Sequence, residues 1–197
     1  DRFPRRQQIA ELGAADRLVG VSDFCVYPTA VVAARPRVGG LFNPDLEKIA
    51  GLRPDLLVLR GRSAAVERLC EDLNIRLYRD PAESLTGIYT AIEELGRLLG
   101  RPEQARELAA DMAARLERVA ARVRGRPRPR VLFTVARLTP DSVADVTTAS
   151  RGTFIHEMIE LAGGENVFAD LSAAYPKVSP EAVLAARPEV IIEAMPE

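Results

Sequence analysis

Apolar residues recur at helical spacing in short stretches along the chain, and most of these stretches are followed by a compact apolar run. Gln7 to Leu12 has helical spacing and ends at Gly13, after which Arg17 to Ser22 is a short apolar run with polar flanks, so helix then strand is the simplest reading. Asn43-Pro44-Asp45 reads as a helix start, Leu46, Ile49 and Leu52 supply an apolar edge, and Arg53-Pro54 is a stop before a buried strand over Leu56 to Leu59. A helix from Ser63 to Leu73 and a strand from Ile75 to Tyr78 continue the alternation. Alternating helices and strands predict a parallel sheet covered by helices, here an N-terminal α/β lobe over residues 1–82.

The period changes over residues 83–124. Ile88, Ile92 and Leu95 mark one helix, Gly100-Arg101-Pro102 breaks it, and Leu108, Met112, Leu116, Val119 and Val123 mark a second. At 1.5 Å per residue the second is about 32 Å long, enough to join two lobes. Gly125 to Arg130, with arginine alternating with glycine and proline, reads as a stiff solvated connector. A second α/β pattern fills residues 125–197: strand Val131 to Val135, helix Thr153 to Ala162, strand around Asn166 to Ala169, helix Pro180 to Ala186 and strand Val190 to Glu193. The fold class expected is α/β, with two Rossmann-like lobes joined by a long rigid helix and a ligand cleft between them.

The lobes echo one another. Residues 9–19 parallel residues 158–168, each a helix, a small-residue cap, an acid and a strand, and residues 46–59 parallel residues 180–193. Glu47 and Glu181 fall in the same register, as do the stops Arg53-Pro54-Asp55 and Arg187-Pro188-Glu189. Two echoes in one order point to a duplicated architecture, although any helix ending in Arg-Pro before a buried strand carries part of this pattern.

In open α/β sheets ligands bind beyond the carboxyl ends of the strands. The loops there hold Asp23, Phe24 and Tyr27; Phe42 and Asn43; Arg60 and Gly61; Arg137; Arg151, Thr153 and Phe154; and Tyr175. Aromatic rings, fixed cations and glycines in such loops suit a large, partly planar ligand, while each aromatic taken alone is more often core packing. Composition narrows the chemistry further. The 197 residues carry a formal net charge of −1, which gives no electrostatic reason to expect nucleic acid or an anionic membrane. Lys48 and Lys177 are the only lysines. Two cysteines and one histidine, His156, cannot build a thiolate or His-rich metal centre; carboxylate or carbonyl sites stay open, but no residues are singled out as metal ligands. No apolar run approaches the roughly 20 residues needed to cross a bilayer.

Catalysis lacks a residue set. Cys25 lies in a strand-end loop and Cys70 inside a helix, so a disulfide between them is not expected, and His156 reads as a helix-face residue with no nucleophile paired to it. There is no GxGxxG or GxxxxGK[ST] phosphate loop, and acidic pairs such as Glu93-Glu94 fall on solvated faces.

Residues 19–28, 38–49, 53–58 and 152–168, the last continued by Tyr175-Pro-Lys-Val-Ser-Pro-Glu181, together resemble the helical-backbone (class III) substrate-binding proteins of ABC importers. The similarity is strongest to the cobalamin-binding branch and covers nearly the whole chain. It implies a non-enzymatic protein that captures cobalamin or a related corrinoid in the cleft, through residues including Phe24, Tyr27, Phe42, Asn43, Phe154 and Tyr175, with Arg60, Arg137 and Arg151 on polar edges of the ligand. It also implies an extracytoplasmic location, no resident cofactor, and docking to a dimeric ABC permease through one exposed glutamate per lobe, Glu47 and Glu181. Related members carry haem or ferric siderophores, and the absence of tryptophan leaves those ligands open. Against the family pattern, the first strand is expected to be missing before Gln7 and the chain to stop short after Ala194, which would expose a sheet edge. Two other readings compete: a two-lobed transferase, which needs a phosphate loop and a base, and a cytoplasmic ligand sensor reusing the fold.

Overall fold

The computed structural model describes residues 12–26, 28–40, 43–81, 83–137 and 146–194. They form two compact units. The first runs up to Pro81 and takes in Tyr89–Ala110; the second holds the segment ending at Ile88 and everything from Asp111 onward. Two helices therefore belong partly to each unit, α4 (Leu85–Leu98) and α5 (Pro102–Val123). The long helix predicted from the second apolar stripe is thus formed, with 22 residues.

In the first unit, α1 (Thr29–Val32) and α2 (Leu46–Leu52) precede β1 (Leu56–Arg60), α3 (Ala64–Asp72) and β2 (Arg76–Asp80). β1 and β2 pair in parallel from Leu56 beside Arg76 to Arg60 beside Asp80. Ser63 caps α3 by accepting from Val66 N–H, and the helix buries Val66 and Cys70 against Leu59 and Ile75, with Leu46, Leu57 and Leu77 packed around them. Burial pushes the Cys70 thiol up from its ordinary value, as expected of a structural rather than a reactive cysteine. Both cysteines are free. α4 and α5 meet closely here: a Cβ placed on Gly96 would lie 3.0 Å from the Arg101 carbonyl oxygen and nearer still to the Ala105 methyl. Ala91, Ile92, Leu95 and Leu99 of the same stretch are buried.

The strand expected over Arg17 to Ser22 does not form as a strand. A 3-10 turn occupies Ala15–Arg17, and Val21 makes one parallel bridge to Arg37, with Val21 N–H donating to Pro36 O and Val38 N–H donating to Val21 O. The next bond of that ladder toward the N-terminus would need an N–H on residue 36, and proline has none.

The second unit is built on β3 (Arg130–Thr134), which lies between β5 (Glu165–Asn166) and β7 (Val190–Glu193), all parallel. α6 (Phe154–Leu161) and α7 (Pro180–Ala186) complete the α/β pattern. A short antiparallel pair, β4 (Val146–Thr147) with β6 (Lys177–Val178), was not legible in the sequence. Leu132, Val146, Phe168 and Val178 form the core, covered by Val167, Ala182, Val183 and Ala186. Among the described residues β7 is an edge strand of this sheet, with Ile191 62% exposed. The basic connector is not simply solvated. Arg128 donates to Gly164 O and pairs with Glu160, while Arg130 bonds Glu165 and the Ala186 carbonyl at the end of α7. Each guanidinium fork reaches one part-buried carbonyl, Gly164 O or Ala186 O, that glycine and proline side chains could not serve.

The echo between residues 46–59 and 180–193 is carried into geometry. α2 and α7 each hold seven residues. Asp45 caps the first by accepting from Lys48 N–H, and Ser179 caps the second by accepting from Ala182 N–H. Each ends on an arginine in the left-handed region, Arg53 at φ 46° and Arg187 at φ 47°, followed by proline and then a parallel strand. The first echo cannot be followed in the same way, because residues 9–11 lie outside the described residues.

Candidate functional site

The first unit presents a tight turn over Ser22–Val26, closed by Cys25 N–H donating to Ser22 O. Cys25 points inward and is fully buried with Val21 and Val32, its Sγ 3.3 Å from Ser22 Oγ. Alternation at the turn then leaves Phe24 and Val26 outward, 59% and 73% exposed. Large apolar side chains left this open on a turn are a candidate ligand surface. The partner segment, residues 36–45, holds the turn. Asp23 N–H donates to Gly39 O, Gly40 N–H donates to Asn43 O, and the Arg37 guanidinium donates to the carbonyls of Ser22, Asp23 and Cys25. Asn43 and Phe24 both crowd Gly40, where a Cβ would sit 2.8 Å from the Asn43 Oδ1 and from the Phe24 ring. Phe24, Asp23 and Asn43 are thereby brought together. Arg60 ends β1, and Gly61 follows it at φ 76°. Tyr27 and Phe42 lie outside the described residues.

In the second unit the expected residues divide. Arg151 is exposed and pairs with Asp170 at 2.6 Å, a bond that holds the guanidinium above its ordinary pKa. Arg137 Nε lies 2.7 Å from Glu193 Oε1 on the neighbouring strand, a charge pair whose N–H direction departs from hydrogen-bond geometry. Tyr175 donates its phenol proton to Glu83 at 3.2 Å. Thr153 and Phe154 do not reach the surface. Thr153 is fully buried as the cap of α6, donating to Ser150 O and accepting from His156 N–H, and Phe154 is buried with its N–H donating to Glu83 O. A threonine at a helix start satisfies a backbone donor first, which is why the sequence signal for a ligand contact here was a capping signal. Behind it, Asn166 joins α6 to the β5 turn: Nδ2 donates to Ala149 O at 2.8 Å and lies 3.5 Å from His156 Nδ1, while Oδ1 accepts from Phe168 N–H.

Glu47 and Glu181 each occupy the second position of their short helix and are exposed. The Ser179 hydroxyl and the local backbone N–H hold Glu181 below the usual glutamate range. Among the described residues no three His, Cys, Asp or Glu side chains converge to hold a metal ion.

The chain matches the periplasmic binding protein family over residues 7–196. It belongs to that family. Among curated relatives, the vitamin B12-binding protein of Vibrio campbellii is 29% identical over 95% of this chain and 67% of its own length. The cobalamin-binding protein of Halobacterium salinarum is 32% identical over 94% of this chain and 50% of its own length. The chain therefore spans about two thirds of one relative and half of the other. Among solved structures, the periplasmic vitamin B12 binding protein BtuF of Vibrio cholerae aligns at a TM-score of 0.78 with 28% identity, covering 94% of this chain and 71% of that one. The apo form of the periplasmic heme-binding protein RhuT from Roseiflexus sp. RS-1 aligns at 0.79 with 29% identity, covering 94% and 71%. The family resemblance and the α/β class read from the sequence are both met by these matches.

Sequence reasoning singled out the loop beginning at Gly39 but passed over Arg37 and Asn166. Arg37 stands in Arg35-Pro-Arg-Val-Gly-Gly40, just before two glycines, but nothing local says which carbonyls it meets.

Proposed function

We propose that this chain captures cobalamin or a related corrinoid on the extracytoplasmic side of the membrane and presents it to an ABC permease, doing no chemistry on it. The observation that carries the reading is the pair of relatives named for vitamin B12 and cobalamin, aligned over 95% and 94% of the chain. The site chemistry supports it. In the first unit Phe24 offers an uncovered apolar ring and Asn43, beside it, an amide suited to the polar rim of a large ligand. No helix among the described residues is long and apolar enough to cross a membrane.

Haem is the second reading, favoured by the likeness to a heme-binding neighbour. Haem iron asks the protein for an axial His, Cys, Met or Tyr, whereas a corrinoid brings its cobalt already ligated. Here His156 is buried with Nδ1 facing Asn166, both cysteines are buried, and Tyr175 is bonded to Glu83. Titrating the full-length protein with cyanocobalamin, haemin and a ferric siderophore decides between the two readings. Saturable binding of cyanocobalamin with weaker binding of the others is expected, and binding of haemin alone would overturn the corrinoid assignment while leaving capture and delivery intact.

Delivery should depend on Glu47 and Glu181. Both are exposed carboxylates in the first turn of matching helices, one per unit, and the helix dipole and the Ser179 bond favour the ionised form of Glu181. Two acids in matching settings suit a permease dimer with a basic residue on each half. Rim charges steer association more than they tighten it. Glu47→Ala with Glu181→Ala is therefore expected to leave ligand affinity unchanged while slowing uptake at low salt and flattening its salt dependence. Uptake equal to the parent at every salt concentration would remove the docking role.

A further inference from the structure

Arg37 is exposed, and a lone exposed arginine normally has nothing to do but solubilise. Here its Nη1 lies 2.6 Å from Cys25 O, 2.9 Å from Ser22 O and 3.4 Å from Asp23 O. One nitrogen with two hydrogens serves the first two acceptors well and the third as a shared contact. All three carbonyls belong to the turn whose apex is Phe24, and the Arg37 backbone is itself fixed by its bridge to Val21. Within the turn Cys25 N–H donates to Ser22 O and the Cys25 Sγ lies 3.3 Å from Ser22 Oγ, and buried Cys25 and the Asp23 N–H on Gly39 O hold its inner side, whereas Phe24 and Val26 have too little cover to anchor it from the outside, where Arg37 reaches its carbonyls. On the inner side, the Phe24 ring lies against Gly40, where any Cβ would displace it.

We propose that Arg37 is a positioning residue that locks the Ser22–Val26 turn so that the Phe24 ring stands on Gly40 with its open face ready for an apolar ligand surface. This rests on the reading of Phe24 as part of the capture site. A ring held in place before binding loses less freedom when the ligand arrives, so the lock contributes to affinity without touching the ligand. Lysine could replace the charge and donate from one nitrogen, but its flexible stem lacks the planar guanidinium that fixes the direction of Nη1, so it should hold the turn less rigidly.

These 197 residues hold no tryptophan, so Phe24→Trp in this chain introduces a single indole reporter at the turn. In that background, Arg37→Ala and Arg37→Lys should both raise the amplitude of fast motion in the fluorescence anisotropy decay, alanine the more. In the parent background Arg37→Ala should weaken cyanocobalamin binding about tenfold, with Arg37→Lys intermediate and the melting temperature within a few degrees of the parent. Millimolar guanidinium added to the alanine variant should recover part of the lost affinity. Unchanged anisotropy in both variants would overturn the lock. A loosened indole with unchanged affinity would show that Arg37 holds the turn but that Phe24 is not a ligand platform, which is the failure of the underlying reading rather than of the lock. Affinity lost only in proportion to a large fall in melting temperature, with no guanidinium recovery, would make Arg37 a stability residue and also overturn the proposal. Should the alanine variant not fold, the lysine variant carries the same comparisons.

Discussion

Asn166→Leu is expected to destabilise the second unit by about 3 kcal/mol, one of the two largest effects of a single change proposed for this protein. Asn166 is 4% exposed and bonds in two directions, accepting from Phe168 N–H and donating to Ala149 O, with His156 Nδ1 at 3.5 Å. The amide orientation is settled by the backbone partners: with Oδ1 on the Phe168 N–H, Nδ2 is left to face the Ala149 carbonyl. Leucine fills the volume but strands the Phe168 N–H and the Ala149 carbonyl without partners in a buried setting, at about 1–3 kcal/mol each before relaxation. Asn166→Asp separates the two halves of the loss. It keeps an acceptor for Phe168 but sets a carboxylate oxygen against Ala149 O in a site that excludes water. Burial raises the pKa of such a carboxyl in the folded state above its unfolded value. The unfolded form then gives up its proton first as pH rises, so the aspartate variant should be least stable at neutral pH and recover on acidification through the folded value. The leucine variant should show no such recovery. Urea melts at pH 5 and pH 7 distinguish them, and a leucine variant as stable as the parent would show that the Asn166 network contributes nothing net.

This network also shows where the sequence was readable. The α2 and α7 segments were legible because their signals are local: a capping Asp45 or Ser179, an acid in the first turn, and an Arg-Pro stop that the structure realises as a left-handed arginine in both. The strand at Arg17 to Ser22 was not, because a strand needs a neighbour, and the neighbour's proline at position 36 cuts the ladder to one bridge. β4 and β6 have two residues each, too few for an alternation to register. Among the candidate residues, Asp23, Phe24 and Asn43 are exposed and held near one another by the turn, although the strand end at which they were expected does not form. Thr153 and Phe154 were read from the same placement but face inward, since a threonine before an amphipathic helix caps it whether or not a ligand is near. Arg37 and Asn166 carry bonds to carbonyls between 12 and 17 residues away, as in Arg37 to Cys25 and Asn166 to Ala149. Charge or amide content alone gives no direction for such bonds, and only the folded backbone supplies it.

Gly39→Ala is expected to destabilise the first unit by about 3 kcal/mol and to remove ligand binding well before the unit unfolds. Two costs fall on one methyl group. Gly39 sits at φ 81°, a conformation that an L side chain rarely adopts, and a Cβ there would lie 2.9 Å from Asp45 N, 3.1 Å from Pro44 Cα and closer still to the Asn43 carbonyl oxygen. These are backbone atoms, so no side chain can swing aside and the 39–45 loop itself must move. That segment is tied to the turn by Asp23 N–H on Gly39 O and closed on itself by Asp45 N–H on Val38 O. Displacing it pulls Gly40 from beneath the Phe24 ring and shifts Asn43, while the buried cluster of Leu59, Val66, Cys70 and Ile75 stays untouched. The separation of effects is the informative part. A control at Gly51, where a Cβ would meet nothing within 4 Å on an exposed part of α2, should be neutral or slightly stabilising as Gly51→Ala. If Gly39→Ala bound cyanocobalamin like the parent while melting several degrees lower, the 39–45 loop would be structural only. The capture surface of the first unit would then have to lie away from Phe24 and Asn43.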